Sequence, residues 1–217
     1  MKKIIGYIIP CMALAIMSCA DFPEIAYEER IDEEIIEVIS GEDFTDSRDY
    51  KTYKTIIIGS QTWMSKNLEF TPATHSCYNG LATNCTKYGP LYDWDIAIHV
   101  CPDGWRLPSD DDWEILARNS GGVPRAGHRL KSKSGWAQDG NGIDSYGFNA
   151  LPGGFVNEND MYRNEGFMAA WWSSTKVQKK EGSVILGRGI TYEAPDIWQL
   201  ELSGSLEMLS VRCIKED

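Results

Sequence analysis

Four cysteines, Cys77, Cys85, Cys101 and Cys213, constrain this chain more than any other feature, because the segment ahead of them sends them to an oxidising compartment. The chain opens Met1-Lys2-Lys3 and continues through an apolar run, Ile4 to Met17, interrupted by Gly6 and Pro10. A basic start followed by about 14 apolar residues matches a secretory leader, whereas a membrane-spanning helix needs about 20. Residues 1–18 are therefore read as a signal peptide. Cys11 leaves with it, and Cys19 stands at its end. The other four cysteines are an even number outside the reducing cytosol, so two disulfides are expected. Four cysteines allow three pairings. The short spacing of Cys77 and Cys85 favours a local clip, and Cys101 and Cys213 would then close a long loop. The chain-entropy account assigns about 4–5 kcal/mol to a loop of that size. A thiol metal site would want a C-x2-C spacing, which these residues lack.

The cleavage zone Ile16-Met17-Ser18-Cys19 resembles the lipobox of bacterial lipoproteins. The resemblance implies a diacylglycerol thioether on Cys19 and a stable attachment to membrane through lipid. The expected location is exported and lipid-anchored to the cell envelope, at the outer membrane on its periplasmic or surface face. Residues 19–47 read as an acidic spacer. Ile31, Ile35 and Ile39 fall at helical spacing, but so polar a segment buries little alone, and a flexible tether is expected. The chain has 21 Lys and Arg against 32 Asp and Glu, a formal charge of −11, which becomes −13 when Lys2 and Lys3 leave. That balance excludes nucleic acid as a partner, since its binding needs basic patches.

From Arg48 the texture changes, and residues 48–217 suit one domain with a sizeable core. Tyr53–Ile58, Gly59-Ser60 and Gln61–Met64 read as a hairpin. Leu91, Trp94, Ala97 and Ile98 share one helical face, which predicts a short helix over 91–99, stopped by Pro102. Ser109 followed by Asp110, Asp111 and Asp112 predicts a second helix opened by a capping box. Capping and the helix dipole account for the three acids without a metal or acid–base role. Trp198, Leu200 and Leu202 alternate with polar residues, as do Leu209, Val211 and Cys213, which predicts strands with one solvated face. Strand, helices and then several strands make an α+β domain.

Direct signs of catalysis are missing. His75, His99 and His128 are widely spaced and fit no H-x3-H or H-E-x-x-H pattern. Neither a Gly-x-Ser-x-Gly elbow nor a phosphate-binding glycine loop occurs. Two patterns point to binding instead. Asp139, Asn141 and Asp144, with Gly140 and Gly142 between them, offer hard oxygens at a spacing that would suit Ca²⁺. The competing and stronger reading is a tight polar turn. Trp136, Tyr162, Trp171, Trp172 and Trp198 flank a loop-rich middle and are the candidates for an exposed, ligand-stacking face. Trp63, Trp94, Trp105 and Trp113 sit in patterned segments and are assigned to the core.

Several phrases are familiar as a set. They are Ile58-Gly59-Ser60-Gln61-Thr62-Trp63-Met64 with Asn67-Leu68, Tyr88-Gly89-Pro90-Leu91-Tyr92, and Cys101-Pro102-Asp103-Gly104-Trp105-Arg106-Leu107-Pro108-Ser109. Gly147-Phe148-Asn149-Ala150-Leu151-Pro152-Gly153-Gly154-Phe155, Trp171-Trp172-Ser173-Ser174-Thr175 and Ser210-Val211-Arg212-Cys213 complete it. Together they resemble the Fibrobacter succinogenes major paralogous domain family over about 48–215. The resemblance implies a C-type-lectin-like fold: a small twisted antiparallel sheet, two short helices, long irregular loops and a Cys101–Cys213 bridge. It carries no established activity. Lectin-type Glu-Pro-Asn and Trp-Asn-Asp calcium motifs are absent, and the cysteines are committed to disulfides. The function expected is a surface-anchored, non-catalytic binding module for polysaccharide or a cell-surface partner, with no cofactor unless calcium. The alternatives are a structural envelope protein without a small ligand and, last, a hydrolase.

Overall fold

The computed structural model describes residues 37–204 and 206–216. The signal peptide, Cys19 and most of the acidic spacer lie outside the described residues. The end of that spacer is structured. β1 (Ile39–Ser40) pairs with Ile56 and Ile57, and β2 (Phe44–Thr45) pairs with β3 (Thr52–Tyr53), so the domain takes in residues that read as tether.

β4 (Thr55–Ile58) turns at Gly59-Ser60 into β5 (Gln61–Met64), with Ile58 opposite Gln61 and Thr55 opposite Met64. This is the hairpin the sequence predicts. Gly59 takes the left-handed conformation, at φ +62°, that a tight hairpin turn demands. α1 (Ala82–Tyr88) follows, tied by Cys85 to Cys77. α2 (Trp94–Ala97) is only one turn long. The helix expected over 91–99 is shortened because Leu91 and Tyr92 instead bridge to Ser76 and Leu209. Asp93 caps what remains by accepting the Ile96 N–H at 2.8 Å.

β6 (Trp105–Arg106) leads to α3 (Asp110–Asn119), which opens with the predicted capping box. The Ser109 hydroxyl accepts the Asp112 N–H at 3.2 Å, and the Asp112 carboxylate accepts the Ser109 N–H at 2.6 Å. Trp113, Leu116 and Ala117 are buried along its inner face. α4 (Val123–Leu130) is a further helix that the sequence did not suggest; Pro124 stands in its first turn, and Ala126, Gly127 and Leu130 form its buried face. The expectation of two short helices is therefore corrected to four among the described residues.

The rest is antiparallel: β7 (Phe155–Val156) with β8 (Tyr162–Arg163), then the long hairpin β9 (Met168–Lys179) and β10 (Gly182–Thr191), then β11 (Trp198–Leu202). β12 (Ile214–Lys215) closes the chain between β5 and β6. The main sheet runs β1-β4-β5-β12-β6, and a second runs β11-β10-β9. The domain is α+β.

β9 explains the core. Trp171 and Trp172 point to opposite faces, as neighbours on a strand must. Both faces are covered. Trp171 packs with Trp63, Trp113 and Phe148, and Trp172 packs with Tyr92, Val211 and Cys213. The first group is an aromatic cluster, with Trp113 and Trp171 ring centroids 5.6 Å apart and Phe148 edge-on to Trp171 at 6.0 Å. Leu209–Ile214 lies beside β9 and below β5, so Ser210 and Arg212 are buried with Leu209, Val211 and Cys213. The predicted solvated face of that segment is corrected: it meets a second layer of protein, not water. Both expected disulfides form, with Cα–Cα distances of 4.9 Å for Cys77–Cys85 and 6.0 Å for Cys101–Cys213.

Candidate functional site

Arg212 sits in the core and is 1% exposed. It follows from strand alternation: Val211 and Cys213 face one way, so Arg212 must face the other. The Cys101–Cys213 bridge fixes the chain beside it. Nε donates to Asn67 Oδ1 at 3.0 Å, and Nη1 donates to the carbonyls of Met64 at 3.1 Å and Phe148 at 2.6 Å. The guanidinium lies 4.3 Å from the centroid of the Phe148 ring. Asn67 completes the hub. Its Oδ1 also accepts the Trp171 indole N–H at 2.9 Å, and its Nδ2 donates to the Tyr88 carbonyl at 2.8 Å.

Burial pushes the Arg212 pKa down to about 9, with the Asp144 charge opposing. The guanidinium therefore stays protonated at neutral pH. Burial in turn raises the Asp144 carboxyl, against the Asn149 N–H bond and the Arg212 charge, which lower it. Arg212 makes its hydrogen bonds to neutral oxygens only, and Nη2 makes none to any described residue. Nor is Nη2 among the sealed, unpaired atoms of the interior. Arg212 helps to line a cleft of about 210 Å³, and Nη2 is the donor left available to it among the described residues.

Lys66, Lys87 and Arg212 bring three cations to this cleft against one carboxylate, Glu69. Lys66 holds that carboxylate at 2.9 Å. Lys87 is exposed and lies 4.4 Å over the Tyr88 ring. Asn149 stands exposed at the rim, its N–H held by Asp144 Oδ1 at 2.8 Å. Gly89 forms part of the wall at φ +82°, and a Cβ there would meet the Leu68 carbonyl oxygen at 2.7 Å. Among the described residues the lining has one carboxylate and no histidine, and most of its polar side chains are hydrogen-bond donors.

The aromatic candidates fall elsewhere, and most are corrected. Trp171 and Trp172 are 0% exposed, and Trp136 is 5% exposed. Their indole N–H groups are engaged inside: Trp172 with the Tyr92 carbonyl, Trp136 with Ser132 Oγ and the Ala150 carbonyl. Lys131 also covers the Trp136 ring at 5.3 Å. Tyr162 is half-buried, its ring tilted against Tyr78 at 5.2 Å between centroids, with its hydroxyl on Ser76 Oγ. Trp198, on the edge strand β11, is 36% exposed and is the one member of the five at the surface.

In the calcium candidate, Asn141 Oδ1 accepts the Trp136 N–H at 3.1 Å, and Asp144 serves Asn149. Asp139 and Asp144 take positive φ, at 59° and 43°. These are the hydrogen bonds and dihedrals of a polar turn. Among the described residues the convergence of metal-type ligands is His75 with Cys77 and Cys85, and those sulfurs are bonded to each other. The acids of α3 have structural work: Asp112 caps the helix and pairs with Arg106, while Asp110 holds Arg188 and Gln199.

Asn67, Arg212 and the cleft were not found by sequence reasoning. Their signal was present in another form. Asn67, Tyr88, Phe148, Trp171 and Arg212 come from five separate phrases of the family resemblance, and they meet at this one hub. The fold and hub define a disulfide-tied α+β domain organised around a buried arginine. The chain belongs to the Fibrobacter succinogenes major domain family, whose model matches residues 56–215. Neither a curated protein nor a solved structure matches it.

Proposed function

We propose that this protein is a non-catalytic binding module, exported and held at the cell envelope by lipid on Cys19, with the Arg212 cleft as its ligand site. The observation that supports this most is the Arg212 Nη2 edge, a donor on a buried cation that no described residue engages. A fold that needed Arg212 only for its carbonyls would have no reason to leave that edge at a cleft. The one-carboxylate lining supports binding over glycoside hydrolysis, which commonly uses two placed carboxyl groups. The leader and the two disulfides support export. A C-type-lectin-like classification is part of the proposal; the long bridge from Cys101 to the last strand and the irregular middle support it.

Polysaccharide or a cell-surface partner remains the ligand source proposed. The test is a glycan array and an insoluble-polysaccharide pull-down with the full chain, disulfides intact, with and without calcium. Binding lost in Lys87→Glu and kept in Trp198→Ala is the expected result. Loss in Trp198→Ala alone moves the site to the β11 edge. No binding to any glycan removes polysaccharide and shifts weight to a structural role. Radiolabelled palmitate incorporation, abolished by Cys19→Ala, tests the anchor.

A further inference from the structure

We infer that the ligand of the Arg212 cleft presents an oxyanion, a carboxylate or a phosphate, which docks on Nη2 between Lys66 and Lys87. The inference rests on the binding-module reading and supplies its chemistry. Three buried cations in this molecule can be compared. Arg188, 4% exposed, has the Asp110 carboxylate at 2.5 Å. Lys131, 3% exposed, has the carbonyls of Thr191, Tyr192 and Ala194, each at 3.2 Å, so its three N–H donors are matched. Arg212 has neither a counter-charge in contact nor a full set of acceptors. A buried charge is stabilised by an opposite charge and good hydrogen bonds together. An oxyanion on Nη2 supplies both.

The surroundings select for charge. The chain is acidic overall, at −11, yet this cleft gathers three cations to one carboxylate. Asn149 adds an exposed side-chain amide at the rim, on backbone whose N–H donates to Asp144. The guanidinium cannot turn away, because Asn67, Met64, Phe148 and the Phe148 ring fix four sides of it. Such preorganised N–H groups recognise carboxylate and phosphate by geometry as well as charge. At about 210 Å³ the cleft is smaller than the ~300 Å³ at which small-molecule sites begin, so it suits one charged group of a larger ligand.

The test uses the full-length chain in a non-ionic detergent. Sodium galacturonate, inorganic phosphate and neutral galactose are titrated at constant ionic strength, and affinity is read by calorimetry alongside the melting temperature. An oxyanion is expected to bind and raise the melting temperature, while galactose does neither. Which of the two binds separates a carboxylate from a phosphate ligand. Lys87→Glu, an exposed change that leaves the hub intact, is expected to weaken binding roughly tenfold. No response to either anion, or equal affinity in Lys87→Glu, overturns the oxyanion. If the glycan array then still gives a neutral ligand that depends on Lys87, the module reading survives alone. If nothing binds in either experiment, both readings fall.

Discussion

Arg188 and Arg212 are both buried arginines in or beside the β-structure of one domain, and they are treated in opposite ways. Arg188, on β10, reaches the start of α3, where Asp110 accepts from its Nε at 2.9 Å and Gln199 shares the same carboxylate. The pair ties a helix to two strands, and its charge is neutralised on the spot. Arg212 is held by three neutral oxygens and an aromatic face, and one nitrogen is left at a cleft. The difference teaches where to look for function in a family without an assigned activity. A buried charge whose partners are complete is accounted for by the fold. One with an open edge and no counter-charge in contact is not.

The largest effect expected bears on the extended segment that carries Arg212 into β12. Cys101→Ser opens a loop of 112 residues and should lower unfolding free energy by about 5 kcal/mol, against about 2.5 kcal/mol for the eight-residue clip in Cys77→Ser. Urea denaturation of the two variants checks the ranking. If Cys101→Ser is the milder change, packing and not the bridge holds Arg212 in place. Next comes Asp110→Ala, which strands the Arg188 charge in the interior. Losses for such a break run to about 3–5 kcal/mol. Glu114, half-exposed and 3.6 Å from Arg188, keeps this one toward the lower end.

Arg212→Lys sharpens the comparison, because it keeps the charge and removes the fork. A lysine cannot serve Asn67, Met64 and Phe148 from the guanidinium's positions, so a loss of about 2–3 kcal/mol is expected. If Arg212→Lys is instead neutral, the hub is less constrained than its distances imply. Acid separates the two clusters further. Burial raises the Asp112 carboxyl, but hydrogen bonds from Arg106 and Ser109 outweigh it and hold the pKa below its ordinary value. The stability this gives is present above the unfolded value, about 3.9, and is lost as pH falls through the folded one. Asp144, near Arg212, is raised, so its contribution has the opposite sign and fades as pH rises through its folded value. The urea midpoint should therefore drop below about pH 4. Asp112→Asn should flatten that limb, and Asp144→Asn should not.

What the sequence made legible was local. The Gly59-Ser60 hairpin, the Ser109–Asp112 capping box and both disulfides rest on neighbouring residues or on a small set of pairings, and each is found. What it hid depends on a second layer. Period two in Leu209–Ile214 reports that Ser210 and Arg212 point away from Val211, but not whether water or β9 lies there. The same ambiguity ran the other way for Trp171 and Trp172, whose abundance in a loop-rich stretch suggested a surface and which fill two cores. The helix over 91–99 failed because distant pairings of Leu91 and Tyr92 outcompeted a helical period only two turns long. The hub itself joins positions 67, 88, 148, 171 and 212, and no spacing rule links those.

The smallest effect on stability is expected at Lys87, where it carries the most information. Its side chain is exposed, lies over the face of Tyr88 and stands in the last turn of α1, so Lys87→Glu should lower unfolding free energy by about 1 kcal/mol. The same substitution reverses one of three positive charges at the cleft. A structural account of Arg212 gives no reason for a rim lysine to matter. A receptive account requires it, because Lys87 would share the ligand's charge with Nη2. The gap between the thermal melts of the wild type and Lys87→Glu should therefore widen when galacturonate or phosphate is added. A gap that stays the same would place Arg212 beside Arg188 after all, as an arginine that serves the fold alone.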